Sequence, residues 1–161
     1  MIRIALVLMC FAAVLLPAEV SAQQTFPVAV YFSKEPDSYN DFTLVLPVER
    51  TVVGPRVGIM ALQHLIDGPT PEERADGYFS ELAGMLDGPS VCEGADFSLN
   101  IVERLATVRF CRSLTSEGVG QDARVRSQIE ATLLQFPTVE RVRILDADGH
   151  CAFDLSGMDV C

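Results

Sequence analysis

Residues 64–74, HLIDGPTPEER, carry the densest run of structural punctuation in the chain. Gly68 follows the last apolar position of a helical pattern, where a left-handed residue is commonly needed and glycine adopts it most cheaply. Pro69 cannot continue that helix. Thr70 stands before Pro71, a residue favoured at the first position of a new helix, and Glu73 comes three places after Thr70. The spacing is that of a capping box, in which the Thr70 hydroxyl oxygen accepts from the Glu73 amide and the Glu73 carboxylate accepts from the Thr70 amide. Each conspicuous residue therefore has a mechanical task, and the stretch is read as a joint between two helices. The competing reading is a carboxylate site at Asp67, Glu72 and Glu73, but no nucleophile accompanies it in the neighbouring sequence.

Upstream of the joint, Val57, Ile59, Ala61, Leu62, Leu65 and Ile66 cover a broad apolar arc at helical spacing, with Gln63 outside it and His64 a boundary residue. VAVYF (28–32) alternates over β-branched and aromatic residues and predicts a strand. SKEPDSYND (33–41) predicts a polar loop, and FTLVLPVERTVV (42–53) a second strand. Pro47 offers no N–H to a ladder, so that strand belongs at a sheet edge or bends there.

Downstream, 71–83 predicts a second short helix weakened by Gly77, and 84–95 a Gly/Pro-rich loop holding Cys92. Residues 97–102 and 105–110 alternate on either side of Glu103-Arg104, which predicts a hairpin despite an uncommon turn pair. Asp122 is placed as the N-cap of a helix over 123–136, striped by Val125, Ile129, Leu133 and Phe136, with Arg124, Gln128 and Glu130 off the stripe. A strand, an Asp148-Gly149 turn and a short return strand close the chain. The order β-β-α-α-β-β-α-β predicts an α+β fold, a small mixed β-sheet with helices packed on one face.

The first residues set the expected compartment. Arg3, the apolar run 4–16 and small residues at 20 and 22 form a secretory signal peptide expected to end at Ala22. The run is shorter than the ~20 residues a bilayer-spanning helix needs, and no second apolar span follows. Met9 occupies the place where a lipidation motif around Cys10 wants a small residue, so free export is expected. Residues 23–161 are then read as one domain, with a core over 28–147 and a tail over 148–161. The leader removes one basic and one acidic residue, so the net charge stays at −10. Such a surface disfavours nucleic acid and anionic lipid, which need clustered cations. Four cysteines remain, Cys92, Cys111, Cys151 and Cys161, an even set that predicts two disulfides with three possible connectivities.

Catalytic and metal patterns are missing from the sequence. There is no GxSxG, HExxH or P-loop, and only two histidines. DADGHC (146–151) has calcium-like spacing at Asp146 and Asp148, but a third ligand before the glycine is missing and Leu155 stands where a glutamate six residues after that glycine belongs. A turn at Asp148-Gly149 is the simpler reading. No cofactor or metal is expected, and no enzyme.

Taken in order, VAVYF (28–32), LVLPVERTV (44–52), ALQHLIDGPTPEE (61–73), GYFSEL (77–82), ATVRF (106–110) and ATLLQFPTVERVRIL (131–145) resemble the spore-germination GerM-type domain, GerMN. The resemblance rests on Pro47, Glu49 and Arg50 in the second strand and on Gly68, Pro69, Thr70 and Glu73 at the joint. It implies an extracytoplasmic module, similar to ring-building domains of sporulation envelope complexes, that binds or assembles without catalytic residues. Placed on that fold, the cysteines are expected to pair as Cys92 with Cys111 and Cys151 with Cys161. The partner is expected to be an envelope protein or a second copy, met at the edge near Pro47–Arg50 or at loop 84–95. The alternative is a peptidoglycan-binding or hydrolytic accessory protein of the cell wall.

Overall fold

The computed structural model describes residues 24–161, so the expected leader at 1–22 lies outside the described residues. Strand β1 (Thr25–Lys34) buries Val28, Val30 and Phe32 on one face, as its alternation requires. It pairs antiparallel with β2 (Leu46–Val53), Val30 opposite Val48 and Tyr31 opposite Pro47. The second strand starts at Leu46, not at Phe42, and the expected loop before it holds a helical turn, α1 (Asp37–Asn40). Fully buried Ser38 fastens that turn. Its hydroxyl accepts the Lys34 N–H at 2.9 Å and donates to the Leu44 carbonyl at 2.7 Å.

Helix α2 (Val57–Asp67) buries Ala61, Leu62 and Leu65 and ends at Gly68, whose φ is +79°. Helix α3 (Pro71–Ala75) follows, far shorter than the expected 71–83. Gly77, at φ +89°, turns the chain out of the helix, and its carbonyl accepts the Glu35 N–H at 2.9 Å. Strand β3 (Tyr78–Phe79) then pairs with Ser33 and Lys34 of β1. Pairing with β1 thus prevails over helix continuation.

Within the expected loop 84–95 lies a short strand, β4 (Leu86–Asp87), paired with β7 (Ser113–Leu114). Between them, β5 (Phe97–Val102) and β6 (Leu105–Phe110) form the predicted hairpin, in the register Phe97 to Phe110 through Val102 to Leu105. Glu103 and Arg104 both take positive φ, 49° and 63°, as a two-residue hairpin turn demands. The Arg104 carbonyl is held from outside, accepting the N–H groups of Glu140 at 2.8 Å and Arg141 at 3.2 Å.

Helix α4 (Val119–Leu134) begins earlier than expected, with Gly118 as N-cap. Asp122 sits inside the first turn instead and accepts the Ser116 hydroxyl at 2.5 Å. Strand β8 (Arg141–Leu145) returns parallel to β6. The expected return strand contracts to a single bridge, Leu145 to Cys151. The α+β class holds, but the strands divide among three sheets, β2-β1-β3, β4-β7 and the mixed β5-β6-β8. One buried cluster joins them, running from Val30 and Phe32 through Leu62, Leu65, Val108 and Phe110 to Ile129, Leu133, Ile144 and Phe153. No helix among the described residues is long and apolar enough to cross a membrane.

The sequence pattern misplaces Gln128, which is fully buried. Its Nε2 donates to Ser33 Oγ at 3.0 Å and to the Phe79 carbonyl at 3.1 Å, and its Oε1 accepts the Glu81 N–H at 3.2 Å. One turn on, Thr132 Oγ1 accepts the Tyr31 N–H at 3.1 Å. Gln135 then accepts from the Ala29 N–H at 2.8 Å and donates to the Ala29 carbonyl at 2.6 Å. These three side chains close the flank of β1 that β2 does not reach. Since Ala29 and Tyr31 turn their main-chain groups toward α4, Tyr31 and Pro47 form a non-hydrogen-bonded pair, and the missing proline N–H costs the ladder nothing.

Replacing Gln128 by alanine removes the partner of the buried Ser33 hydroxyl and of the partly buried Phe79 carbonyl and Glu81 amide. Urea unfolding of Gln128→Ala is expected to show a loss of roughly 2–3 kcal/mol with an unchanged slope.

Candidate functional site

The motif residues of the second strand and the helix joint meet across 23 positions of sequence. Alternation along β2 turns Pro47, Glu49 and Thr51 to solvent and Val48, Arg50 and Val52 toward the helices. Arg50 Nη1 and Nη2 donate to Glu73 Oε1 and Oε2 at 2.7 and 2.5 Å, a bidentate pair with side chains only 15% and 20% exposed. The guanidinium also lies 5.8 Å from the Phe32 ring centre and donates to the Glu49 carbonyl.

Glu73 does double duty. Its Oε2 accepts the Thr70 N–H at 2.8 Å while Thr70 Oγ1 accepts the Glu73 N–H at 3.3 Å, so the capping box is present. Gly68 brings the chain close to its neighbour, since a Cβ there would stand 3.4 Å from that of Ala83. The Pro69 carbonyl accepts from Arg74 Nη1. Thus Arg50, Thr70 and Glu73 form one hydrogen-bonded unit on a loop shaped by Gly68 and Pro69, whereas the side chains of Pro47 and Glu49 stay on the opposite, exposed face. Hydrogen bonding from Arg50 holds the Glu73 carboxyl below the usual range, helped by the Thr70 amide and opposed by partial burial.

A second ion pair escaped the sequence. Arg124 Nε donates to Glu81 Oε1 at 2.5 Å with side chains 11% and 15% exposed, and Gln121 Nε2 donates to Glu81 Oε2 at 3.2 Å. The Arg124 guanidinium stacks over Phe42 and Tyr39, 5.1 and 5.4 Å from their ring centres. Burial, reinforced by a hydrogen bond to Glu35, pushes the Tyr39 phenol up. Residues 81 and 124 lie too far apart in sequence for any local signal to join them.

Asp146, Asp148 and His150 come together at the surface, one ligand atom of each within 4.8 Å of the others. Asp146 Oδ1 is occupied, accepting the N–H groups of Asp148, Gly149 and His150 at 2.8–2.9 Å. These bonds fold a turn at Asp148-Gly149.

The sulfurs of Cys92 and Cys111 lie at bonding distance, 2.05 Å, and those of Cys151 and Cys161 at 2.04 Å. The first bridge ties loop 84–95 to the end of β6. Inside the second, Asp154 accepts the Ser156 hydroxyl and gathers the N–H groups of Ser156, Met158 and Val160; the hydroxyl bond first, then the backbone bonds, hold its carboxyl far below the ordinary range.

The Germane family, described as sporulation and spore germination, matches residues 29–151. The chain belongs to this family. Among solved structures, the tandem GerMN domains of the sporulation protein GerM from Bacillus subtilis align at 18% identity and a TM-score of 0.49, over 78% of this chain. The chain spans 43% of that structure. A "Putative Lipoprotein" from Clostridium perfringens aligns at 15% identity and a TM-score of 0.40, over 84% of this chain and 83% of that one. Comparison with curated proteins finds no match. The match to the Germane family takes in both halves of the Arg50–Glu73 unit.

A double-mutant cycle on Arg50→Ala and Glu73→Ala is expected to give a coupling of about 1–3 kcal/mol in chemical denaturation. Because the carboxyl is lowered in the fold, its contribution is full above the ordinary glutamate range near ~4.3 and is lost as pH falls through the lowered value. The stability gap between the parent and Glu73→Gln should therefore close on acidification below about pH 4. Non-reducing peptide mapping should recover two links, Cys92 to Cys111 and Cys151 to Cys161; a link between 92 and 161 would contradict the arrangement.

Proposed function

We propose that this Germane-family chain is exported and works without catalysis, as a module that binds a protein partner at the cell envelope or outside it. The observation that carries the proposal is the fate of the motif's ionisable groups. Arg50 and Glu73 face one another in a bidentate pair, and Glu73 Oε2 also accepts the Thr70 N–H that caps α3. A general acid or base must keep a lone pair or proton free toward a substrate. These groups are spent on joining a strand to a helix, which supports a scaffold over a reaction centre. The leader-like first residues and the two cysteine pairs support an oxidising compartment outside the cytoplasm.

The test uses the chain produced with its own leader in the native host. Mass spectrometry of the exported form is expected to find Gln23 at the N-terminus. Incubated with purified cell-wall sacculi, the protein should release no muropeptide and should remain in the supernatant, while crosslinking in intact envelopes should attach it to a protein partner. Muropeptide release that disappears on substituting a carboxylate would instead establish the hydrolytic alternative.

A further inference from the structure

The two outer strands of the β5-β6-β8 sheet are treated differently. The β8 edge is partly covered by the tail, where Ala152 donates its N–H to the Ile144 carbonyl at 2.9 Å and Cys151 bridges Leu145. Strand β5, FSLNIV, carries neither proline nor charge, the usual guards of an exposed edge. Its main-chain direction follows from the ladder. Cys111 donates its N–H to the Asp96 carbonyl at 2.8 Å, so Asp96 and Cys111 are a bonded pair. Counting along the register, residues 98, 100 and 102 bond to β6. The N–H and C=O groups of Leu99 and Ile101 consequently face away from β6, toward the open side.

A groove of about 420 Å³ runs beside that edge. Its walls are Val57 and Ile59 of α2, Leu99 and Ile101 of β5, and Phe136, with Arg56 at the rim. The helix wall is set close by Gly58, where an added Cβ would stand 3.1 Å from Leu99 Cδ2. Ile101 remains 40% exposed although its side chain is on the core-facing side of the strand. Arg56 is exposed, and among the described residues no carboxylate lies within 4.0 Å of it, unlike Arg50, Arg104, Arg112, Arg124 and Arg126.

We propose that this groove receives an extended segment of the protein partner, added as a fourth strand along β5. The segment would place an aliphatic side chain between α2 and β5 and an acidic side chain against Arg56. The proposal rests on the binding-module function above and names its docking surface. The chemistry is complementary on three counts. Main-chain groups of Leu99 and Ile101 supply donors and acceptors at a two-residue repeat, the groove supplies an apolar wall, and Arg56 supplies a cation in a chain of net charge −10. In strand addition the backbone gives affinity and the alternate side chains give selectivity. A second copy of this chain is the competing occupant of the same edge, and the test separates the two.

The probe is an N-acetylated, C-amidated hexapeptide in which valine alternates with threonine and the last residue is glutamate. Titrated into ¹⁵N-labelled chain spanning 23–161, it should shift the amide signals of Leu99 and Ile101 and slow their hydrogen exchange. Arg56→Glu should weaken binding by roughly tenfold or more, and a peptide ending in lysine should recover it in that variant. Ile101→Asp, a change at an exposed position checked for folding by its dispersed amide spectrum, should abolish binding, as should N-methylation of alternate peptide amides. The proposal is overturned if no shift occurs at millimolar peptide, if shifts centre on β2, or if Arg56→Glu leaves affinity unchanged. Peptide-independent dimerisation through β5 in sedimentation would likewise overturn it. In the envelope crosslinking experiment, capture of the same partner by Ile101→Asp at the parental level would sink the groove alone and leave the module intact. Capture of nothing by either protein would count against the module itself.

Discussion

A strand with an unpaired flank is the constraint around which this fold is arranged. Strand β1 is the longest among the described residues, yet β2 lies along only one side of it and β3 meets the other for two residues. The main-chain groups of Ala29 and Tyr31 would otherwise be left in a partly buried setting, where each unmet hydrogen bond costs on the order of 1–3 kcal/mol. Thr132 of helix α4 and Gln135 at its C-cap supply the missing partners, and Gln128 on the same helix face holds the Ser33 hydroxyl at the end of the strand. The same helix contributes Val125, Ile129 and Leu133 to the core. Its rotation is therefore fixed twice, by apolar packing and by polar contacts that admit little slippage. That also explains why Gln128 tolerates full burial: its oxygen and both directions of its amide nitrogen have named partners.

The Arg50–Glu73 pair applies similar logic between a strand and a helix joint. A bidentate guanidinium–carboxylate contact has a defined plane, so it sets orientation as well as distance. Because the two side chains are largely shielded, removing one partner would leave a poorly solvated charge, which is a greater penalty than the pair's net worth. Coupling Glu73 to the Thr70 cap extends that penalty to the start of α3. The sequence motifs on which the resemblance rested are thus two ends of one contact, a reason for them to occur together that needs no reaction.

Much of this could be read before the fold was known, and the boundary between what could and could not is physical. The joint at 64–74 was readable because capping is local: Thr70, Pro71 and Glu73 need only one another. The hairpin was readable because alternation of period two persists on both sides of Glu103-Arg104. Helix 71–83 was overextended because the competing partner of Tyr78 and Phe79, the end of β1, lies more than forty residues away. Gln128 falls off the apolar stripe because hydrophobic periodicity scores a glutamine as polar without asking what it faces. The Arg124–Glu81 pair and its aromatic neighbours were invisible for the same reason, since they draw on α1, α4 and the segment after β3. Burying polar groups in specific pairs is a property of the assembled fold.

The treatment of sheet edges carries this logic from folding to function. Strand β2 presents its outer side with Pro47, which donates nothing there, and with Glu49 and Thr51 exposed. Strand β1 is sealed at Ala29 and Tyr31 by Gln135 and Thr132. Strand β8 is overlaid by a tail that a cysteine pair and Asp154 hold in place. Each device suppresses unintended strand addition at some cost in sequence freedom. Against three guarded edges, the uncharged and proline-free edge of β5, lying beside an apolar groove with a cation at its rim, stands out as an edge that the fold leaves available.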